Sequence, residues 1–207
     1  STMTTTHAIY ELFEPLLRGV PTLVLGDPES RDLKGFWETI NAWSITRLLV
    51  VPSALQVSME FPGFAVPALK VVVLMGEYVH QRLAARAIEV FPAQTSLYSI
   101  YGSTEASSTL VCDLRESYRP NQELPLGRPI SPDVQAYVLG DDLAPVGSGA
   151  TGLLYFAGTA LFTEYFRDPT LTASVFVRSP VTNDRLYDTH DQVRLTADGN
   201  IEYLGRT

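Results

Sequence analysis

Residues 99–105 read Ser-Ile-Tyr-Gly-Ser-Thr-Glu, a mixture of side chains that suits a nucleotide. Tyr101 can stack on a base, and Gly102 lets a backbone come close. Ser103 and Thr104 carry hydroxyls able to donate to phosphate oxygens, and Glu105 offers a hard oxygen ligand to Mg²⁺. The segment follows the run Thr95 to Ser99, which predicts a strand, and open α/β sheets bind ligands at the carboxyl ends of their strands. A second cluster lies in Leu186 to Arg194, Leu-Tyr-Asp-Thr-His-Asp-Gln-Val-Arg. Asp191 can accept two hydrogen bonds from a ribose diol, and Arg206 follows fifteen residues later across a predicted hairpin. Taken singly, each cluster also fits an ordinary loop or a surface hairpin with a salt bridge.

Other chemistries find less support. Gly147 to Gly152 spells GxGxxG, but a dinucleotide loop works only between a strand and a helix; here it falls between two predicted strands and reads as a turn. His7, His80 and His190 lack metal-ligand spacing. No GxSxG elbow is present, and Cys112, within an apolar run, reads as core filler.

The elements that must position these residues change character along the chain. Ile9, Leu12, Phe13, Leu16 and Leu17 predict a helix over Ala8 to Arg18, with Gly19 as its stop. Thr22 to Leu25 predicts a short strand. Asp27-Pro28 opens a second helix whose stripe is Leu33, Phe36, Trp37 and Ile40. Arg47 to Val51, closed by Pro52, and Lys70 to Met75, closed by Gly76, are apolar strands. Leu83, Ala84, Ala87, Ile88 and Phe91 form another helical face. Helices alternating with apolar strands specify a parallel sheet covered by helices. After about Arg115 the pattern turns to short strands: Val134 to Leu139, Gly152 to Ala157, Leu186 to Asp188, Val193 to Thr196 and Asn200 to Leu204. Turn residues separate them, and Pro169 to Phe176 offers a short helical turn. The expectation is an α/β subdomain over 1–115, followed by a small β-barrel-like subdomain over 116–207.

Composition narrows the partners. Of 207 residues, 45% are apolar and 18% charged, which supports a folded core. Fifteen basic against twenty-three acidic residues give a net charge of −8, the wrong sign for general nucleic-acid binding. No apolar run approaches the roughly 18 residues that span a bilayer. A single cysteine fits a reducing compartment, so a cytoplasmic protein without nucleic-acid or membrane partners is expected.

Several segments, in order, resemble the adenylate-forming superfamily of acyl-CoA synthetases, luciferases and nonribosomal peptide synthetase adenylation domains. Tyr10-Glu11-Leu12-Phe13 with Leu16-Leu17 resembles the helix flanking the acyl pocket. Tyr101 to Glu105 resembles the YGSTE motif, Gly127-Arg128-Pro129 resembles GRP, and Gly152-Leu153-Leu154-Tyr155 with Gly158 resembles GELYxxG. Glu164-Tyr165 with Pro169, Leu171-Thr172 and Phe176 resembles the end of RGYxxxPxLTxxxF. Tyr187, Thr189 and Asp191 resemble YxTGD, and Asp198-Gly199-Asn200 through Gly205-Arg206 resembles DGNIEYLGR. The LGRP and DGNIEYLGR segments point toward the peptide-synthetase branch.

The resemblance implies that a carboxylic acid reacts with ATP to give an acyl-adenylate and pyrophosphate. The acyl group then passes to a carrier-protein phosphopantetheine thiol or to coenzyme A. It implies that Tyr101 packs on adenine, Thr104 contacts the α-phosphate, Glu105 helps bind Mg²⁺ and Asp191 holds the ribose, with Arg206 assisting. Gly76, Glu77 and Tyr78 would form another wall of the adenine site. Thr6, His7, Tyr10, Ser53, Val73, Met75, Ile100, Ser108 and Thr109 would line the acid pocket.

Departures from the pattern matter as much. The family's phosphate loop would precede Ser1 and its catalytic lysine would follow Thr207, in a C-terminal lid domain. Neither Lys34 nor Lys70 stands at a matching position. The chain is therefore expected to be part of the large N-terminal domain, inactive by itself. His190 replaces a usual glycine. Thr6 stands where members activating α-amino acids carry an aspartate that pairs with the substrate ammonium, and a hydroxyl does not offset an ammonium's burial. An acid without a conventionally held α-ammonium is expected: aryl, hydroxy, keto, fatty or an unusual amino acid. Thr6 and His190 also raise the alternative of a degenerate, non-catalytic nucleotide-binding or interaction module.

Overall fold

The computed structural model describes residues 8–26 and 32–207, and the chain forms two compact units, Ser1–Tyr98 and Ser99–Thr207.

In the first unit a π-helical turn, Ile9–Phe13, runs into α1, Glu14–Leu17. The helix stops at Gly19, whose φ of +66° favours a residue without a Cβ. The strand expected at Thr22 to Leu25 does not form: residues 20–26 have no regular structure, and Val24 is 72% exposed. A β-prone tetrapeptide with no neighbour to pair with gains nothing from extension. The expected opening at Asp27-Pro28 lies outside the described residues. Helix α2, Leu33–Ala42, is capped by Asp32, which accepts from the Lys34 amide at 3.1 Å, and it buries Trp37 and Ile40. Strands β1, Arg47–Val50, and β2, Val71–Met75, pair in parallel, Arg47 opposite Val71 and Val50 opposite Leu74. Between them lies α3, Pro52–Ser58, which the sequence reading missed. Pro52, expected to close β1, is the first residue of a helix, a position that tolerates its missing N–H. Helix α4, Gln81–Val90, buries Leu83, Ala84 and Ala87. It leads to β3, Ser96–Ser103, whose first residue donates to the Lys70 carbonyl at 2.8 Å.

The second unit is built mainly from antiparallel strands. They are β4 (Ser107–Asp113), β5 (Pro125–Pro129), β6 (Val134–Leu139), β7 (Thr151–Gly158), β8 (Phe176–Arg178), β9 (Arg185–Leu195) and β10 (Ile201–Arg206). Their order from β3 is β3-β4-β5-β10-β9-β7-β6, with β8 also on β9. Helices α5, Leu114–Ser117, and α6, Pro169–Val175, are short, and Asp113 and Asp168 cap them. Leu110, Leu154, Phe156, Leu186 and Val193 are among the buried side chains. The GxGxxG segment forms the turn that enters β7, its last two residues being the first of that strand, and the Gly149 amide donates to the Leu195 carbonyl at 2.6 Å. Gly127 of the GRP segment has a φ of +101°, and a Cβ there would stand 2.0 Å from the Val111 carbonyl oxygen. Only glycine lets β5 approach β4 so closely.

The fold class is α/β, with parallel pairing in the first unit and an antiparallel sheet in the second. No helix of the described residues is long and apolar enough to cross a membrane.

Candidate functional site

The segment expected to be a loop after a strand ending at Ser99 is instead strand through Ser103, so Tyr101 and Gly102 lie within β3. Residues 104–106 then turn the chain into β4. Ser103 Oγ accepts from the Ala106 amide at 3.2 Å, and Ser107 adopts a φ of +61°. Thr109, buried on β4, donates its hydroxyl to the Tyr101 carbonyl at 3.0 Å. These bonds fix the strand while leaving the Tyr101 side chain to be oriented by others. Its ring packs against Phe156 of β7, centroids 6.0 Å apart, and its hydroxyl donates to Asp191. Burial, then the bonded Asp191 carboxylate, holds the phenol well above the usual tyrosine range, so it remains a donor.

Asp191 owes its direction to a distortion of β9. Leu153 faces Gln192 and Tyr155 faces Asp188, so two residues of β7 span four of β9. The sequence reading divided this stretch into two strands; it is one strand with a bulge over residues 189–191. Local side chains make the bulge: Asp188 Oδ1 accepts from the His190 amide at 2.7 Å, and Thr189 Oγ1 accepts from the Asp191 amide at 3.1 Å. Thr189 in turn donates to the Leu154 carbonyl at 2.8 Å. His190 sits at a φ of +58°, the conformation for which glycine is the usual choice. The histidine therefore keeps the backbone path, and its carbonyl accepts from the Thr207 amide at 3.0 Å. Bulges re-aim side chains, and this one turns Asp191, only 6% exposed, toward Tyr101. A further irregularity in β10, between Tyr203 and Gly205, brings Arg206 opposite Asp191, with Nε 4.0 Å from Oδ1.

Glu105, at the β3–β4 turn, is gripped by the segment between β7 and α6. Tyr165 donates its hydroxyl to Glu105 Oε1 at 2.9 Å, and the Phe162 amide donates to the Glu105 carbonyl at 2.8 Å. Tyr187 of β9 completes the group, its ring edge-on to Phe162 with centroids 6.2 Å apart. Burial first, then the nearby carboxylate, raises its phenol above the ordinary value, while Ser103 and Arg206 act the other way. The sequence reading assigned no role to Tyr165 or Tyr187, although both belong to the quoted motifs; their only signal was motif membership. Thr104 is exposed on the turn.

No group of three or more His, Cys, Asp or Glu side chains gathers among the described residues as a metal cage. A single carboxylate flanked by hydroxyls fits Mg²⁺ of the kind that takes its remaining ligands from water and substrate phosphates. Glu105 is the group that would hold it.

The remaining candidates divide between the units. Ile100 on β3 and Ser108 and Thr109 on β4 belong to the second. Tyr10, Ser53, Val73, Met75, Gly76, Glu77 and Tyr78 belong to the first. There Val73 and Met75 are buried on β2, and Gly76, at a φ of +96°, turns the chain after it. Glu77 binds Ser53 with both oxygens, accepting from the Ser53 amide at 2.9 Å and its hydroxyl at 2.8 Å, and so caps α3. Thr6 and His7 lie outside the described residues.

Comparison with known proteins gives this arrangement its setting. The sequence matches the family described as AMP-binding enzyme over residues 2–166. It is 30% identical over 206 residues to the PKS-NRPS hybrid synthetase acdB of Aspergillus candidus, covering 100% of this chain and 8% of that protein. The nonribosomal peptide synthetase FmoA3 superposes with a TM-score of 0.90 at 28% identity, covering 100% of this chain and 23% of its own. Its form bound to alpha-methyl-L-serine-AMP superposes with a TM-score of 0.89 at 27% identity, over 97% and 23%. The chain thus spans a small part of the relatives it matches. It belongs to the AMP-binding enzyme family, and nonribosomal peptide synthetases are among the proteins it resembles.

Proposed function

We propose that this chain is part of an adenylation domain that activates a carboxylic acid with ATP, releasing pyrophosphate and holding the acyl-adenylate for a thiol. The observation that carries the reading is the meeting of Tyr101, Asp191 and Arg206, distant in sequence, at a bulge that aims the aspartate. Asp191 would accept the ribose hydroxyls with Arg206 beside it, the Tyr101 ring would offer a face to adenine, and Gly102 and Ser103 would lie along the nucleotide. Thr104 would contact the α-phosphate, and Glu105 would hold the Mg²⁺ that screens phosphate charge when bound. Gly76, Glu77 and Tyr78 would supply another wall. In-line placement of carboxylate and α-phosphate, with charge neutralised, is what the reaction demands of the protein. The phosphate loop and catalytic lysine are expected from other parts of the whole protein, and 207 residues without them would not turn over. The acceptor would be a carrier-protein phosphopantetheine or coenzyme A, and ATP use with a buried, reduced Cys112 suits the cytoplasm.

The substrate would be a carboxylic acid without a conventionally held α-ammonium. Thr6 supplies no charge, nor do Tyr10, Ser53, Val73, Met75, Ile100, Ser108 and Thr109. Glu77, two residues beyond Met75, already has both oxygens engaged by Ser53. ATP–pyrophosphate exchange by the intact protein over a panel of acids checks both points. Exchange driven by an aryl, hydroxy, keto or fatty acid is expected. A standard L-α-amino acid as the best substrate overturns the substrate reading, and no exchange with any acid favours the non-catalytic module that Thr6 and His190 suggest.

A further inference from the structure

We infer that Tyr165 is a positioning residue for Glu105, setting the direction in which its carboxylate meets a nucleotide-bound cation. The inference rests on the role proposed above for Glu105. A glutamate at a hairpin tip would ordinarily sample several rotamers, and fixing one in advance removes an ordering cost from binding. Here two bonds fix it, from the Tyr165 hydroxyl to Oε1 at 2.9 Å and from the Phe162 amide to the main-chain carbonyl at 2.8 Å. The gripping segment is itself anchored. Arg185 donates to the Thr163 carbonyl at 2.6 Å and the Phe162 carbonyl at 3.3 Å, with its guanidinium 3.4 Å from the centroid of the Phe176 ring. Phe162 stacks on Phe176 at 5.0 Å, and the Tyr165 amide donates to Thr172 Oγ1 at 3.0 Å. The neighbouring Phe166 is 84% exposed, so the segment turns Tyr165 inward selectively.

The test uses the intact protein, Mn²⁺ as the paramagnetic probe and a non-hydrolysable ATP analogue, with bound metal read by electron paramagnetic resonance. Tyr165→Phe is expected to weaken Mn²⁺ binding to the nucleotide complex about tenfold, the usual scale for removing a partner of a metal ligand. Metal-free nucleotide affinity should stay unchanged. In a Glu105→Gln background the same change should cost nothing further, an outcome that general loosening of the segment would not give. Unchanged Mn²⁺ affinity in Tyr165→Phe, or an equal loss in both backgrounds, overturns the inference while leaving the nucleotide site standing. Absence of any Mn²⁺–nucleotide complex in the parent protein removes the role of Glu105, and the inference with it.

Discussion

Gly102→Ala is expected to destabilise the protein by forcing β3 and β4 apart, and to weaken nucleotide binding. A Cβ at position 102 would stand 2.0 Å from the Ser107 carbonyl oxygen, 2.9 Å from its carbon and 3.0 Å from the Ser108 Cα. All three are backbone atoms, so no flexible side chain can swing aside, and relief requires parting the strands on either side of the turn. Forced overlap in packed structure costs about 1–3 kcal/mol and occasionally more, and with only backbone to yield the upper end, ~3 kcal/mol, is expected. At roughly 2–4 °C per kcal/mol for a chain of this size, the melting temperature should fall by around 6–12 °C. Gly147→Ala is the control, because nothing lies within 4 Å of a Cβ there and its φ is ordinary; that change should stay within about 0.5 kcal/mol. Thermal unfolding of both variants checks the pair. Equal melting temperatures would mean the hairpin tolerates a gap it does not have.

Asp191→Asn is expected to weaken binding of adenine nucleotides by about 10–100-fold, since hydrogen bonds to a charged group contribute about 1.5–3 kcal/mol each. The asparagine keeps the volume and one acceptor oxygen but loses the negative charge that faces Arg206 and the second oxygen for a diol. A structural loss and a binding loss are separable. A 2′,3′-dideoxy nucleotide lacks the hydroxyls that Asp191 would hold, so parent protein and variant should bind it equally weakly. If the variant weakens both nucleotides alike, Asp191 serves the fold of β9 and not the ribose.

How the two sites could be read from sequence differs in an instructive way. Regular elements followed from periodicity where burial is one-sided or complete, as in α4 and in β2, whose residues are nearly all buried. Strands β3 and β9 broke that pattern because they hold polar and turn-forming side chains. Tyr101, Gly102 and Ser103 look like loop residues, yet Thr109 and the neighbouring strand hold them extended. In β9, Asp188 and Thr189 carry turn-forming side chains, and they do form a turn-like bulge, but inside a continuous strand. Thr22 to Leu25 differs the other way, with strand residues and no strand to pair with among the described residues. Contacts such as Tyr165 to Glu105, sixty residues apart, and Ser53 to Glu77, twenty-four apart, have no local signature, because they depend on where the folded chain returns. Motif order singles out Tyr101, Glu105, Asp191 and Arg206, whereas the bond from Tyr165 to Glu105 is visible only in the folded chain.

The central claim is that these side chains serve one adenylate. Isothermal titration calorimetry of the intact protein with a non-hydrolysable acyl-adenylate analogue tests it most directly. A domain complementary to the activated acid should bind the analogue at least about 100-fold more tightly than ATP, and Asp191→Asn should erode that affinity. An analogue that gives no heat of binding, or whose affinity is indifferent to Asp191, would contradict the account.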